Sequence, residues 1–206
     1  MMRVIFATGN KDKIRELKEI MEGTGIEVFT AKECGLSTGA EENGDTFAAN
    51  AEIKALDIYS QLKKKGEEAD TLVMADDSGL CIDFLDGQPG VYSSRFLGED
   101  TSYSIKNPKI IDMLSEAEPG RRGAHYVCDI CLVEPSGRVM HEEGRMSGSI
   151  AYKEAGRGGF GYDPIFYLDD RGCTAAELSP EAKNAISHRG SAMRKMLERI
   201  KKEGII

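Results

Sequence analysis

The chain has 206 residues, of which 40% are hydrophobic and 30% charged, a balance typical of globular proteins and unlike that of disordered ones. Lys and Arg total 27 against 35 Asp and Glu, and the formal net charge of −8 would repel the phosphates of a nucleic acid polymer. We therefore expect no polymeric nucleic acid partner, and we expect residues 1–206 to form a single domain.

The N-terminal sequence and the cysteine content indicate the cellular compartment of the protein. The apolar run at residues 4–7 is too short for a signal peptide or a membrane span. The five cysteines are an odd, scattered set, which fits reduced thiols better than a disulfide framework. Cys128 and Cys131 lie in a predicted strand, where positions three apart point to opposite faces, so we interpret them as core residues. We predict a cytoplasmic protein without a membrane segment.

The first elements in chain order predict a strand at residues 3–7, a helix at 12–21 and a second strand at 26–31. The loop between strand and helix lies where ligands bind in α/β sheets. Its small residues, helix-start N–H groups and two lysines suit phosphate oxygens, although a plain turn with solvated lysines has the same pattern. The candidate residues are Thr8, Gly9, Asn10, Lys11, Asp12 and Lys13.

The longest helical pattern covers residues 46–65. Lys54 lies seven residues after Phe47 and therefore on nearly the same face of the predicted helix, with Asn50 between them on that face. A lysine on an apolar face needs an anionic partner, unless its stem snorkels to solvent. Glu41 and Glu42 precede this helix, where its dipole favours negative charge, so helix capping is an alternative to a functional role.

A buried strand predicted at residues 71–75 is followed at once by Asp76, Asp77 and Ser78. Two adjacent carboxylates repel each other and cost desolvation, so they persist where water, donors or a hard cation compensate them. Mg²⁺ is the cation that carboxylate oxygens favour. The pair predicts a metal site, although Asp and Ser before Gly also form ordinary turns.

The remaining patterns complete an α/β fold with a mixed twisted sheet, flanking helices and an antiparallel hairpin lobe. They predict a short helix at 108–114, a hairpin of strands 124–133 and 139–151, a glycine-dense loop at 156–164, a short strand at 164–168, a helix start at Ser179 and Pro180, and a final amphipathic helix.

Six segments together resemble one family, the inosine triphosphate pyrophosphatases, also called dITP/XTP pyrophosphatases. They occur in that family's order along nearly the whole chain. The segments are ATGNKDK at 7–13, EENGDTFAANAEIKA at 41–55, ADDSGL at 75–80, PGVYSSRF at 89–96, GRGGFGYDPIF at 156–166 and AELSPEAKNAISHRG at 176–190.

The resemblance implies a homodimer with a nucleotide cleft between lobes. It implies Mg²⁺-dependent hydrolysis of ITP, dITP and XTP to the monophosphate and pyrophosphate, which clears them from the nucleotide pool. Residues 8–13 would bind the triphosphate, Glu41 and Asp77 the metal, and Ser78 the substrate, while Asp77 would be the general base and Lys54 a second catalytic residue. The implied base pocket comprises Phe160, Gly161, Tyr162, Asp163, Lys183, Ser187, His188 and Arg189.

Base selectivity follows from hydrogen-bonding chemistry. A 6-oxopurine presents an N1–H donor and an O6 acceptor, and adenine presents the reverse. Asp163 as acceptor beside Arg189 or Lys183 as donor would therefore select hypoxanthine or xanthine. Phe160 offers a ring to stack on the purine.

Two positions depart from the family's pattern. Ala49 stands where the family often has a glutamate, so Asp76 or Glu42 would have to compensate. The strand after the hairpin turn begins with Met140-His141-Glu142, where an aromatic residue is common.

Two alternatives remain. A Maf-like pyrophosphatase would prefer pyrimidine or modified nucleotides, and the FGYD and SHR segments argue against it. A nucleotide-sensing protein would bind without hydrolysis, which the presence of Asp77, Glu41 and Lys54 disfavours.

Overall fold

The computed structural model describes residues 3–118 and 120–206, so Met1, Met2 and Pro119 lie outside the described residues. The described strands are β1 Arg3–Phe6, β2 Glu27–Thr30, β3 Thr71–Ile82, β4 Gly123–Val133, β5 Val139–Ile150, β6 Phe166–Leu168 and β7 Cys173–Thr174. The described α-helices are α1 Lys11–Met21, α2 Phe47–Lys65, α3 Tyr103–Met113, α4 Pro180–Ile186 and α5 His188–Lys202.

The strands form one mixed sheet in the order β2-β1-β3-β4-β5-β6-β7. Strand β1 pairs in parallel with β2 and β3, whereas β6 pairs antiparallel with β5 and β7. Strands β4 and β5 are neighbours joined by the turn in which Glu134 N donates to Arg138 O at 2.9 Å. These observations confirm the predicted α/β class, the mixed sheet and the hairpin.

The chain divides into two compact units. Unit 1 comprises Met1–Asp77, Cys128–Gly144 and Arg189–Ile206, and unit 2 comprises Ser78–Val127 and Arg145–His188. Single-domain behaviour of the whole chain stays a prediction.

Unit 1 buries a core on each face of its strands. On β3, Leu72 and Met74 join a buried cluster with residues of α1 and α5, whereas Val73 and Ala75 join a second cluster with residues of α2. Each fully buried leucine or methionine contributes about 1.5–3 kcal/mol through removal of apolar surface from water. Cys128 belongs to the first cluster and Cys131 to the second, which confirms that both are core residues on opposite faces.

Unit 2 packs α3 against strand residues in a third cluster, which includes Leu80, Ile110, Tyr126 and Phe166. Tyr126 and Phe166 contact each other with ring centroids 4.6 Å apart. None of the helices in residues 3–118 and 120–206 combines the length and apolarity needed to cross a membrane.

Two predicted element boundaries were wrong. We expected the third strand to end at residue 75, but β3 continues to Ile82 and Asp76 and Asp77 lie inside it. We expected a helix at 108–114, but α3 begins at Tyr103 and includes Pro108. Its segment before the proline is held by Lys106 Nζ, which donates to Ser94 O at 2.6 Å.

Candidate active site

Asp76 and Asp77 are adjacent but face opposite ways, because successive side chains of a strand alternate between the faces of the sheet. Asp76 lies on the face packed by α1 and α5, and Asp77 on the face packed by α2. The two residues are 1% and 7% exposed. Each buried carboxylate therefore has its own set of compensating partners.

Asp76 is surrounded by cations. Its Oδ2 accepts from Arg189 Nε and Nη2, each at 3.2 Å, and lies 3.0 Å from Lys13 Nζ. Arg189 is itself buried and also pairs with the Glu16 carboxylate of α1. Burial would raise the pKa of Asp76, but the charges of Lys13 and Arg189 outweigh it and hold that pKa well below its ordinary range. Asp76 therefore stays ionised.

Asp77 is held from α2. Lys54 Nζ lies 3.0 Å from Asp77 Oδ1 and 3.0 Å from Glu42 Oε2. Asn50 Nδ2 donates to Asp77 Oδ2 at 3.3 Å, and Asn50 Oδ1 accepts from Gly44 N at 2.8 Å. This confirms that the apolar-face lysine has anionic partners.

The segment before α2 requires glycine at position 44. A Cβ there would lie 2.7 Å from Ala49 Cβ and 2.9 Å from Asn50 Oδ1, closer than atoms can approach. Thr46 then caps the helix by accepting from Ala49 N at 3.1 Å. This close approach places Glu42 beside Lys54.

The environments of the two aspartates separate their proton affinities. Burial raises the pKa of Asp77 above its ordinary value, against the opposing charges of Lys54 and Lys13. Burial opposes the charged form of Lys54, but Asp77, Asp76 and Glu42 together raise its pKa. The pKa of Asp76 is thus lowered and that of Asp77 raised, and two neighbouring carboxyls with opposite shifts are an arrangement typical of acid–base sites.

The carboxylates also bear on metal binding. In residues 3–118 and 120–206, no three His, Cys, Asp or Glu side chains converge as metal ligands. Mg²⁺, however, is usually held by one or two carboxylates together with water and substrate phosphates. Asp76 Oδ1 is buried and has no hydrogen-bond partner in the described part of the chain, so it offers a hard oxygen of the kind Mg²⁺ binds. The residues present therefore fit such an ion.

The two predicted glutamates are placed differently. Glu42 pairs with Lys54, whereas Glu41 is exposed. The adjacent carboxylate that contacts the Asp77 cluster is thus Glu42, and metal binding by Glu41 stays a prediction.

The candidate phosphate loop is ordered by its own capping contacts. Asn10 Oδ1 accepts from Asp12 N at 2.9 Å and from Lys13 N at 3.2 Å, and Thr8 Oγ1 accepts from Asn10 N at 3.2 Å. Lys11 and Gly9 are exposed, and Lys13 reaches Asp76. The N–H groups of Asp12 and Lys13 therefore bind the Asn10 cap. The lysine side chains are the groups of this loop that would bind a phosphate.

Unit 2 brings together three of the predicted base-pocket residues. Lys183 Nζ lies 2.6 Å from Asp163 Oδ2 and 5.0 Å from the ring centre of Phe160. The same Asp163 oxygen accepts from Phe160 N at 2.7 Å. Gly159 has a φ of +67°, and a Cβ there would lie 2.1 Å from Asp163 Oδ2, so this turn requires glycine. A carboxylate, an ammonium and an aromatic ring thus form one cluster.

The other predicted pocket residues lie around this cluster or elsewhere. Tyr162 OH donates to Ser93 O at 2.7 Å, and Asn107 Nδ2 donates to Gly161 O at 3.3 Å. Ser187 and His188 are buried, and the His188 ring stacks on Tyr126 with centroids 4.6 Å apart. Ser78 is partly exposed on β3.

Arg189 contacts Asp76 and Glu16 in unit 1, so its expected contact with the base stays a prediction. Sequence analysis did not identify Glu16. Its position beside the buried Leu17 on α1 was the available signal, but nothing local indicated that its partner lies 173 residues away.

Comparison with known proteins gives concordant matches. The chain matches the family model described as the Ham1 family over residues 4–199. A dITP/XTP pyrophosphatase from Desulforamulus reducens is 43% identical over 197 residues, covering 96% of this chain and 94% of that protein. A dITP/XTP pyrophosphatase from Photorhabdus laumondii is 40% identical over 205 residues, covering 98% and 99%.

Solved structures agree. A HAM1 protein from Coxiella burnetii superposes with a TM-score of 0.86 at 35% identity, covering 98% of this chain and 100% of that one. A nucleoside-triphosphatase / dITP/XTP pyrophosphatase from Mycobacterium abscessus gives a TM-score of 0.72 at 38% identity, covering 95% and 99%. The family resemblance is thus confirmed along nearly the full length of these proteins, and the chain belongs to the Ham1 family.

Proposed function

We propose that this protein is a nucleoside-triphosphate pyrophosphatase that hydrolyses dITP, XTP and ITP to the monophosphate and pyrophosphate, clearing them from the nucleotide pool. The names of its relatives from Desulforamulus reducens and Photorhabdus laumondii support the dITP and XTP substrates. The observation that carries the chemistry is the pair of buried aspartates with opposite pKa shifts, each held by its own lysine.

Asp77 is the proposed general base. Its raised pKa increases its affinity for a proton, and Lys54 and Asn50 fix the orientation of its carboxylate. Water would attack the α-phosphorus and transfer a proton to Asp77, while the bond from that phosphorus to the bridging oxygen of the β-phosphate breaks. Pyrophosphate leaves with the bonding electrons.

Lysines compensate the charge that develops on the leaving group. An ammonium has three donors, so Lys13 can bind a phosphate oxygen while it remains paired with Asp76. Lys11 is exposed at the start of α1 and offers a second cation. This arrangement would stabilise a pyrophosphate leaving as one group.

We propose Mg²⁺ as the cofactor, held by Asp77 and Glu41, with Glu42 as a further carboxylate on the α2 face of β3. Asp76 faces the opposite side of the sheet and would act on this ion through its charge. When bound, the ion would neutralise charge on the phosphate oxygens. Glu42, which lies beside Lys54, is the carboxylate that would compensate for Ala49, where the family often has a glutamate.

Asp163 and Lys183 are the proposed readers of the base. Asp163 offers an acceptor to the N1–H of a 6-oxopurine, and Lys183 offers a donor to its O6. The Phe160 ring supplies a stacking surface in the same cluster. Adenine reverses both demands, so its edge presents no group complementary to either side chain.

The decisive experiment incubates the protein with ITP and Mg²⁺ and assays pyrophosphate and orthophosphate separately. We expect monophosphate and pyrophosphate in equal amounts, loss of turnover in EDTA and recovery with Mg²⁺. Orthophosphate with a nucleoside diphosphate would contradict the proposed bond cleavage, and full turnover in EDTA would contradict the metal. Bound ITP without products would favour the sensing alternative.

We also propose a homodimer in the cytoplasm, as the family resemblance implies. Light scattering at micromolar concentration tests the dimer, because a mass of 22.5 kDa would indicate a monomer. Fractionation of cells tests the location.

A further inference from the structure

His141 of β5 lies between two carboxylates on different elements. Its Nδ1 is 2.7 Å from Asp129 Oδ1 of β4, and its Nε2 is 3.1 Å from Glu52 Oε2 of α2. An ionised carboxylate can only accept hydrogen bonds, so both ring nitrogens donate here only if the ring carries both protons. The geometry therefore describes an imidazolium that links α2 to two strands.

Helix α2 has contacts on two flanks. Because successive helical residues rotate by about 100°, Asn50 and Lys54 share one flank, and both bind Asp77. Glu52 and Tyr59, seven positions apart, share the other flank. There Glu52 meets His141, and Tyr59 OH donates to Pro135 O at 3.0 Å.

Between these flanks, α2 packs on the sheet through Ala51 and Ala55, both fully buried. Their short side chains interlock little with the strands, whereas the larger buried residues of this face, Ile58 and Leu62, lie one and two turns beyond Lys54. Close to Lys54, the polar contacts on the two flanks therefore supplement the apolar packing in fixing the rotation of the helix. The polar contacts on the two flanks lie on opposite sides of the helix axis, so each resists rotation of the helix toward the other side. Loss of the Glu52 contact would let the helix turn and carry Lys54 away from Asp77.

We propose that His141, as an imidazolium clamped between Asp129 and Glu52, is a positioning residue that fixes the rotation of α2 and thereby aims Lys54 and Asn50 at Asp77. Its effect on turnover rests on the proposed function.

The groups that face His141 favour its protonated form. They are Glu52 from α2 and Asp129 and Cys131 from β4, while Arg199 of α5 donates to the main-chain oxygen of His141 at 3.3 Å and pairs with Glu142. Hydrogen bonding to Asp129, and then to Cys131, outweighs burial and raises the pKa of His141 to about 10. The clamp itself is intact below the folded-state pKa of about 10. Because that pKa is raised, the contribution of the clamp to stability is full below about pH 6.5, the ordinary value, and is lost as pH rises through the folded-state value.

The first test needs no substrate. NMR of the full-length protein resolves the rings of its three histidines, and His141→Gln assigns the signal. We expect the His141 ring to stay doubly protonated at about pH 8, beyond the ordinary histidine pKa of about 6.5. We also expect the side-chain amide signal of Asn50 to shift in His141→Gln and in Glu52→Gln.

The second test is kinetic, with His141→Gln, Glu52→Gln, the double variant, and His125→Gln of unit 2 as the matched control. Each single variant should lower kcat for ITP by roughly ten- to a hundredfold, with KM little changed, because misplacement by about 1 Å has that cost. The double variant should be no slower than the slower single variant, and the control should be unchanged. Glu52 is partly exposed, so Glu52→Gln keeps the test available if His141→Gln fails to fold.

The two failures are distinguishable. If neither the wild type nor any variant releases pyrophosphate, the proposed function is wrong. The titration of the His141 ring and the Asn50 amide signal would still show whether the clamp exists. A His141 ring that loses its second proton near the ordinary pKa, an unshifted Asn50 amide, or additive losses in the double variant would overturn the clamp.

Discussion

At the scale of single residues, the two adjacent aspartates show how the strand divides their roles. Asp76 faces Lys13 and Arg189 and keeps its charge, so its main contribution is to neutralise buried cations. Asp77 faces Lys54 and Asn50, where burial raises its pKa. The same residue type thus gives electrostatic support at one position and, in the proposed mechanism, accepts a proton at the next.

Asp76→Asn should therefore act on stability. It removes the charge that pairs with both Arg189 and Lys13, and breaking one side of a buried ion pair costs about 3–5 kcal/mol. Urea unfolding measures the change in the free energy of unfolding. Asp77→Asn is the matched variant, and we expect it to fold with a smaller loss while kcat falls by about a hundredfold or more. Equal stability losses in the two variants would contradict this division.

Asp163→Ala tests base recognition. Because adenine cannot complement the buried polar groups that would bind a 6-oxopurine, we expect discrimination of ITP over ATP by up to about four orders of magnitude in the wild type. The variant should lower kcat/KM for ITP and barely change the already low kcat/KM for ATP. The ratio of the two values should therefore decrease because the ITP value falls. Circular dichroism controls for folding, since Asp163 also holds Phe160 N and Lys183. A proportional loss for both nucleotides would assign Asp163 to the structure of the loop.

At the scale of elements, the sequence predicted those helix boundaries that are determined by interactions between neighbouring residues. The predicted first helix at residues 12–21 agrees to within one residue with the observed helix Lys11–Met21. The prediction succeeds because the apolar stripe and the Asn10 cap both lie within a few residues of sequence. The helix start at Ser179 and Pro180 is likewise confirmed, and Ser179 Oγ accepts from Ala182 N at 3.2 Å. Such capping contacts need no distant partner.

The continuation of β3 could not be predicted in this way. Aspartates disfavour strand interiors, and here they are tolerated because Lys13, Lys54 and Arg189 come from helices far away in the sequence. For the same reason the sequence indicated that Lys54 needs an anion but could not decide which of Glu41 and Glu42 supplies it. That choice depends on the path of the chain before α2, where Gly44 approaches Asn50 closely.

At the scale of the whole molecule, neither compact unit is a continuous stretch of sequence. Unit 1 is complete only when Cys128–Gly144 and Arg189–Ile206 have joined Met1–Asp77, and unit 2 requires both Ser78–Val127 and Arg145–His188. A cluster of unit 1 that contains Val4, Ile130 and Met196 therefore joins segments from the start, middle and end of the chain. Independent folding of one unit would need contacts between segments separated by an unfolded remainder, which is entropically costly.

We therefore expect the chain to unfold in one cooperative transition, as the single-domain prediction requires. The sequence supplies a probe for each unit: Cys128 and Cys131 are buried in unit 1, whereas six of the seven tyrosines lie in unit 2. In increasing urea, labelling of these two thiols, followed by peptide mass spectrometry, and loss of near-ultraviolet tyrosine circular dichroism should share one midpoint. Because both cysteines are inaccessible in the folded protein, their labelling requires loss of the unit 1 core. Labelling at a lower urea concentration than the tyrosine transition would instead identify two separately unfolding units.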